Sequence, residues 1–204
     1  MITALRATSQ TLAALLSARF LSEPSLAGLF GAGGAVVSLA TPDEMGRRRE
    51  AGLSIWLYRV IRDDMTLNRM EERTGFDTFR RVPLPLRLHY LMTPMLAASA
   101  AQAPETEQHI LGAVLQTFHD HAMLAGSDLA GDFAATDTEL QVRLESLALD
   151  EITRIWDSLE RSYQLSVSYE VSVVEIASRR PDAADRMVLT PRARTGIARM
   201  ESAP

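Results

Sequence analysis

Leu53-Ser54-Ile55-Trp56-Leu57-Tyr58-Arg59-Val60-Ile61 has the alternation of a β-strand. Successive side chains of an extended chain point to opposite sides, so Leu53, Ile55 and Leu57 share one face and Trp56, Tyr58 and Val60 the other. Both faces are apolar, which predicts a central strand covered on both sides. The polar stretch that follows, residues 62–81 with Asp63-Asp64 and Gly75, reads as a long connection. Beyond it, Val82-Pro83-Leu84-Pro85-Leu86 must be extended, because each proline drives its predecessor out of the helical region. That segment runs into a strand over residues 87–92, and Pro94 is expected to open a short helix.

Outward from this centre the periodicities change. Ile2, Leu5, Leu12, Leu16 and Phe20 fall near one face of an N-terminal amphipathic helix that Pro24 ends, with Arg6, Gln10 and Arg19 away from that face. A glycine-rich turn, Gly31-Ala32-Gly33-Gly34, leads into a short strand over residues 35–39 that stops at Thr41-Pro42. Ile110, Leu111, Val114, Leu115 and Phe118 form the stripe of a second good helix over residues 108–122. Leu140, Val142 and Leu144 alternate with Gln141, Arg143 and Glu145, the pattern of a half-exposed strand. Asp150 is the expected N-cap of a helix carrying Ile152, Ile155, Trp156 and Leu159. Tyr169, Val171 and Val173 mark a long last strand over residues 167–176. The order α, β, β, β, α, α, β, α, β has no regular βαβ repeat. It predicts an α+β domain over residues 1–178, with a mixed sheet of about five strands flanked by helices and a long N-terminal helix.

The 204 residues are 47% hydrophobic and 23% charged, enough for a real core and far from the composition of a disordered chain. Net charge is −5, which argues against a nucleic-acid coat. All 21 basic residues are arginine. After Ser178, six arginines face three acidic residues, so residues 179–204 form a basic segment with Pro181, Pro191 and Pro204 and little periodicity. That segment is either a solvated extension able to order on an acidic partner or an inert tail. No cysteine is present, which removes disulfides, thiolate metal sites and cysteine nucleophiles together. No apolar run approaches the ~18 residues of a membrane helix, and no signal-peptide pattern opens the chain. The expected location is the cytoplasm.

The candidates for chemistry are few. His119-Asp120-His121 is the most enzyme-like cluster, but the stripe before it predicts a helix. There, residues i and i+2 lie ~200° apart and cannot chelate one ion. His109 is further up the same helix and His89 falls on a predicted strand, each without a zinc motif. The glycine-rich turn precedes a strand and lacks the Gly-Lys-Ser/Thr ending of a phosphate loop. Asp63-Asp64 and Glu71-Glu72 read as solvated loop charge. Arg47-Arg48-Arg49, beside Glu44 and Glu50, is either an anion or partner site or a mixed-charge loop. Trp56 and Trp156 read as core aromatics. Neither a catalytic site nor a bound metal or cofactor is expected.

Four blocks carry a family likeness. They are Leu57-Tyr58-Arg59-Val60 with Asn68-Arg69, then Pro83-Leu84-Pro85-Leu86-Arg87-Leu88-His89-Tyr90-Leu91-Met92-Thr93-Pro94, then Ile155-Trp156 through Tyr163 to Ser166-Val167-Ser168-Tyr169-Glu170-Val171. Ile110-Leu111-Gly112 with His119-Asp120-His121 is the fourth. Together they resemble the cap, or tail-terminator, proteins of extracellular contractile injection systems, phage-tail-like particles of the Pvc and antifeeding-prophage type. The likeness covers residues 1–178. It departs at Val82 and Ala122, where prolines are usual.

The resemblance implies a non-enzymatic role. Six copies would form a ring on the distal end of the inner tube and contractile sheath, ending polymerisation and fixing length. The implied partners are a second copy of the chain, the sheath protein and the inner tube protein, without nucleic acid or a membrane span. The implied location is the cytoplasm during assembly and then the particle, released or retained. Residues expected at interfaces are Arg47, Arg48, Arg49, Asn68, Arg69, Pro83, Pro85, Arg87, Tyr90, Tyr169, Arg179 and Arg180. An edge strand that exchanges with a partner is expected at residues 82–91 or 167–176, unless both are interior strands. The alternatives are a monomeric adaptor using the basic tail and a histidine-containing metal enzyme.

Overall fold

The computed structural model describes residues 2–66, 72–73, 78–96, 103–180 and 183–184. Helix α1 (Ala4–Ser22) encloses Ala4, Ala7, Leu12, Leu16 and Phe20 completely. Ile2 lies ahead of the helix and is exposed, so the stripe begins later than its spacing suggests. Pro24 ends α1 and also starts α2 (Pro24–Phe30), because a proline in the first helical turn has no hydrogen bond to lose.

Strand β1 (Val36–Ser38) comes next, then α3 (Pro42–Arg48), which the sequence reading treats as loop. Its start is a reciprocal cap: the Glu44 N–H donates to Thr41 Oγ1 at 3.1 Å and the Thr41 N–H donates to Glu44 Oε2 at 2.9 Å. That second bond holds the Glu44 carboxyl below its ordinary range. Strand β2 (Gly52–Arg62) follows.

Within the long connection lie β3 (Glu72–Arg73) and β4 (Thr78–Arg80), and β5 (Leu84–Met95) leaves it. The rest of the chain is α4 (Ala103–Asp120), β6 (Met123–Ala125), β7 (Glu139–Glu145), α5 (Leu149–Ser158), β8 (Val167–Ile176) and β9 (Ala183–Ala184).

Six strands form one mixed sheet in the order β1-β2-β5-β8-β7-β6, parallel between β1 and β2 and antiparallel elsewhere. The fold is therefore the α+β class expected, with β6 added to the five strands read from the sequence. β3, β4 and β9 form a small sheet of their own, in a second unit made of residues 69–82 and 178–204. In it Phe79 pairs with Ala183 and Thr78 with Ala184.

Both strands proposed for exchange are interior: β5 lies between β2 and β8, and β8 between β5 and β7. The prolines in β5 suggest an edge, yet each sits where one neighbour has run out. β2 pairs as far as Leu86, just short of Pro85, and β8 pairs as far as Met92, short of Pro94. A missing N–H is tolerated at the end of a ladder. Pro94 consequently opens no helix; it continues β5 opposite Leu53.

Alternation then sorts the sheet. Leu53 and Ile55 on β2, Leu88, Tyr90 and Met92 on β5, Tyr169 and Val171 on β8 and Leu140 and Val142 on β7 join α1 and α4 in the main core. Ile110, Val114 and Phe118 are the α4 side of that core, as the stripe requires. The intervening residues project to the second face, where Leu91 and Thr93 are fully buried. α3 and α5 stand over that face. Arg161 Nε, just after α5, contacts Asp43 Oδ1 on α3 at 2.9 Å.

Coverage of β2 on both sides holds over residues 52–55 but fails further along, where Arg59 and Val60 are exposed beyond a bulge between Leu57 and Arg59. The N-cap of α5 is Ala148 rather than Asp150, and the Ala148 N–H donates to Glu151 Oε2 at 2.9 Å. No helix among the described residues is long and apolar enough to cross a membrane.

Candidate functional site

The second face of the sheet carries a polar strip built one residue per turn of the pleat. Alternation with Leu88 and Tyr90 sends Arg87 and His89 of β5 to this face, and alternation with Tyr169 does the same for Ser168 and Glu170 of β8. Register then assembles them. His89 lies opposite Glu170, and Glu145 of β7 lies opposite Ser168. Asp63, where β2 ends, is tied in through its N–H, which donates to the Pro85 carbonyl at 3.0 Å.

Arg87 donates from Nε and Nη2 to Asp63 Oδ1 at 2.9 and 2.6 Å, and its Nη1 stands 3.7 Å from Glu170 Oε2. The hydrogen bonds to Asp63 hold the guanidinium proton more tightly than usual. His89 Nδ1 pairs with Glu145 Oε1 at 2.8 Å. The other oxygen of Glu145 accepts from Ser168 Oγ at 2.6 Å and from the Tyr58 hydroxyl at 3.4 Å. Burial raises the Tyr58 phenol above its ordinary value, against the opposing pull of the Ser168 hydroxyl.

The strip is shielded: the side chains of His89 and Asp63 are 5% and 8% exposed, and those of Glu170 and Glu145 are 16% and 17% exposed. His89 Nε2 is buried with no hydrogen-bond partner. Among the described residues, His89, Glu145 and Glu170 are the group that could hold a metal ion, each with one ligand atom within 4.8 Å of the others.

Two grooves flank the sheet. One of about 410 Å³ lies on the second face and is lined by Trp56, Tyr58 and Arg59 of β2 with Glu151, Arg154 and Ile155 of α5. The other, about 720 Å³, lies against α4 and is lined by Leu115, Phe118, His119, Val142, Leu144 and Tyr169.

Within the first unit, the described residues expected at interfaces take different places. Arg47 and Arg48 are exposed on α3, Arg47 paired with Asp43 at 2.7 Å, and Arg49 caps that helix in the left-handed region at φ 56°. Pro83 is half-buried, Pro85 is buried and Arg87 belongs to the strip. Tyr90 is fully enclosed, with its hydroxyl 2.9 Å from Ser9 Oγ. Tyr169 is buried against Phe118, ring centroids 4.9 Å apart. Both tyrosine side chains are thus committed to the core. Arg179 and Arg180 are exposed in the second unit. Asn68 and Arg69 lie outside the described residues.

The histidine cluster straddles the end of α4. His119 and Asp120 end α4 and His121 follows it, its Nδ1 3.7 Å from Asp128. His109 Nε2 meets Ser25 Oγ at 3.1 Å. Trp156 is buried as expected, on the second face rather than in the main core, whereas Trp56 is half-buried and lines the groove. Asp63 is not solvated loop charge: it is buried against Arg87, unlike its neighbour Asp64. The strip escaped sequence reading because its members come from four strands with no local motif. The signal available was the alternation of polar residues, Arg87 with His89 and Ser168 with Glu170, on strands that otherwise read as buried.

Comparison with known proteins follows the same lines. The family described as the Pvc16 N-terminal domain matches residues 7–190. No curated protein matches the chain. Among solved structures, the sheath/tube terminator of the PVC extracellular contractile injection system in its extended state is similar over 98% of this chain and 65% of that one, at 18% identity and a TM-score of 0.58. The tube-terminating cap of the anti-feeding prophage is similar over 95% of this chain and 61% of that one, at 17% identity and a TM-score of 0.54. This chain therefore spans just under two thirds of the length of each.

Proposed function

This chain belongs to the Pvc16 N-terminal domain family, and from that premise we propose that it is a structural cap of a contractile, phage-tail-like injection particle. Six copies form a ring on the distal end of the inner tube and sheath, stop both polymers and fix their length. The chain's partners are its own copies, the sheath protein and the inner tube protein. The observation that carries this reading is the fold, similar over nearly the whole chain to two proteins whose names are terminator and terminating cap.

The physics of termination agrees. Tubes and sheaths grow by head-to-tail contacts that propagate until a subunit arrives without the next complementary face. A cap needs docking surfaces for these partners and no active site. The exposed arginines of α3 and the groove between β2 and α5 are the docking surfaces this reading favours, while the buried Tyr90 and Tyr169 serve the fold.

Electron microscopy of particles from cells with and without the gene tests the proposal. Loss of the gene is expected to give overlong, broadly distributed particles, or tubes and sheaths that part at one end. Normal particles of one length would refute it. Restoring the gene with His119→Ala and His121→Ala is expected to restore normal length, because capping requires no chemistry from that cluster.

A further inference from the structure

We propose that the free edge of β2, residues 55–62, receives an extended acidic segment of another protein chain, which adds to the sheet as a further strand and sets its side chains in the groove beside α5. The inference rests on the cap reading only in taking this groove as a docking surface. Peptide binding to the isolated chain can fail while particle length still depends on the gene, so the two fail separately.

The backbone comes first. β2 runs for eleven residues, yet β1 pairs with Gly52, Leu53 and Ser54 alone. Beyond Ser54, β2 has β5 on one side and no strand on the other among the described residues. In an antiparallel ladder, alternate residues turn their N–H and C=O groups to the same side, so about half of this segment presents unmatched donors and acceptors outward. Such an edge is a template for an added strand. Arg59, Val60 and Arg62 are exposed, so that end of the edge is open to solvent.

Register fixes which side chains flank the added strand. Trp56, Arg59 and Ile61 lie opposite Leu91, His89 and Arg87, on the second face. Trp56, Tyr58 and Arg59 make one wall of the groove, and Glu151, Arg154 and Ile155 of α5 the other. Trp56 is half-buried, its ring 6.0 Å from that of Tyr58, and its indole N–H has no hydrogen-bond partner among the described residues. A tryptophan with one wet edge is the kind of side chain that anchors a partner. Alternation sends every second side chain of an added strand into this groove. An apolar one meets Trp56 and Ile155, and the one two residues along meets Arg59 and Arg154.

Charge selects the second of these. Arg59 and Arg62 make no ion pair among the described residues. Arg154 has a 3.4 Å contact with Asp150, and both side chains are well exposed. Glu151 is already engaged, accepting from the Ala148 N–H. The place beside Arg59 and Arg154 therefore suits a carboxylate. A second copy of the same edge would bring arginines against arginines, which is destabilising. Residues 179–204 carry six arginines against three acidic residues, so the chain's own tail has the wrong sign. The bulge between Leu57 and Arg59 and the two arginines also keep the edge from pairing with itself. They do so without repelling an acidic strand.

The test is selection of a phage-displayed library of random linear peptides on the full chain, followed by titration of the best peptide in synthetic form. Enriched sequences are expected to carry an apolar residue and a carboxylate two positions apart. Binding is expected to protect the amides of residues 55–62 from hydrogen exchange. Arg59→Glu with Arg154→Glu should weaken binding about tenfold or more, with circular dichroism reporting the fold. Of the two alternating patterns of backbone N-methylation in the peptide, one should abolish binding and the other spare it, which charge attraction alone would not produce. If the double variant does not fold, the methylated pair and the exchange map still decide. A selection that enriches no acidic peptide overturns the proposal. So do protection outside residues 55–62, equal binding by both methylated peptides, or unchanged binding to the folded double variant. Protection of residues 55–62 already complete in the free chain overturns it too, and its dependence on concentration tells a second copy from the chain's own tail.

Discussion

Trp156→Ala is expected to release α5 from the sheet while leaving the main core folded. Trp156 is the one buried side chain of α5, at 1% exposure. Its Nε1–H reaches Ser166 Oγ only at 3.4 Å, and Tyr163 meets it edge-on at 6.2 Å. Both contacts are weak, so the docking of α5 rests on apolar burial. A buried tryptophan removes about 150–250 Å² from water, worth roughly 4–6 kcal/mol at about 25 cal/mol per Å². A helix of ten residues has little stability without such packing.

The main core is built from α1, α4 and the opposite face of the sheet, and Trp156 is no part of it. The loss is therefore expected to appear as local opening. Hydrogen exchange read by mass spectrometry should show residues 149–158 exchanging as an unprotected segment in the variant. Amides of β5 and β8 should keep most of their protection. A uniform loss of protection across α4, β5 and β8, with no excess over 149–158, would refute this reasoning: α5 would then be part of the cooperative core. On the cap reading the same variant also loses one wall of the groove that Trp56 and Tyr58 share with α5, so a folded variant that fails to cap would locate docking there.

Two further outcomes follow from single residues. Burial pushes the Tyr90 phenol far above its ordinary value and raises Tyr169 to about 12. Their neutral forms are thus favoured in the fold, and stability is fully present below the unfolded value of about 10. Above pH 10 the unfolded chain loses protons that the native chain keeps, and each such tyrosine removes about 1.4 kcal/mol per pH unit. Tyr90→Phe should cost about 1 kcal/mol at neutral pH, because Ser9 keeps its bond to the Leu5 carbonyl at 3.0 Å. It should also make denaturant-measured stability fall less steeply between pH 10 and 11; parallel profiles would count against the burial account. Gly52→Ala should displace β1, since a Cβ there would lie 1.9 Å from the Val36 carbonyl oxygen and φ is +138°. Backbone strain alone costs about 1–3 kcal/mol, and a thermal midpoint equal to the parent's would show that β1 yields without cost.

Elements written in a single local period were legible in the sequence. β8 spans the residues its alternation marks, although the register shifts beyond Val171 and Val174 joins the core, and the α4 stripe of Ile110, Val114 and Phe118 is the stripe that packs. α3 is not, because seven residues that run into Arg47-Arg48-Arg49 and Glu50 look like loop charge until the Thr41–Glu44 cap is recognised. Asp150 misled for a related reason: an acidic residue in a first turn favours the helix dipole whether or not it caps, and here Ala148 occupies the cap. The prolines of β5 require an extended chain, which the strand is, yet they do not disclose whether it is central. That depends on where β2 and β8 stop pairing, a long-range fact with no local signature. The strip was hidden for the same reason. His89 and Glu145 are 56 residues apart in sequence and meet through β8, which contributes Glu170 beside them.

The position of the long strands constrains how a partner can attach. A strand bordered on both sides has no free ladder, so β5 and β8 cannot accept an added strand without breaking the sheet. At the ends of the main sheet, β1 and β6 are three residues each and offer only a few backbone hydrogen bonds, each worth about 0.5–1.5 kcal/mol net, whereas β2 beyond Ser54 is paired on the β5 side alone among the described residues. Backbone recognition by this unit is thus left to residues 55–62 of β2, and the rest falls to side-chain surfaces. Those differ between the faces: against α4 on the first lies the groove lined by Leu115, Phe118 and Tyr169, and on the second lies the groove beside Tyr58 and α5. On the cap reading this difference is useful. A face that binds a growing polymer and is matched by no equivalent face on the opposite side gives the next subunit nothing to continue on.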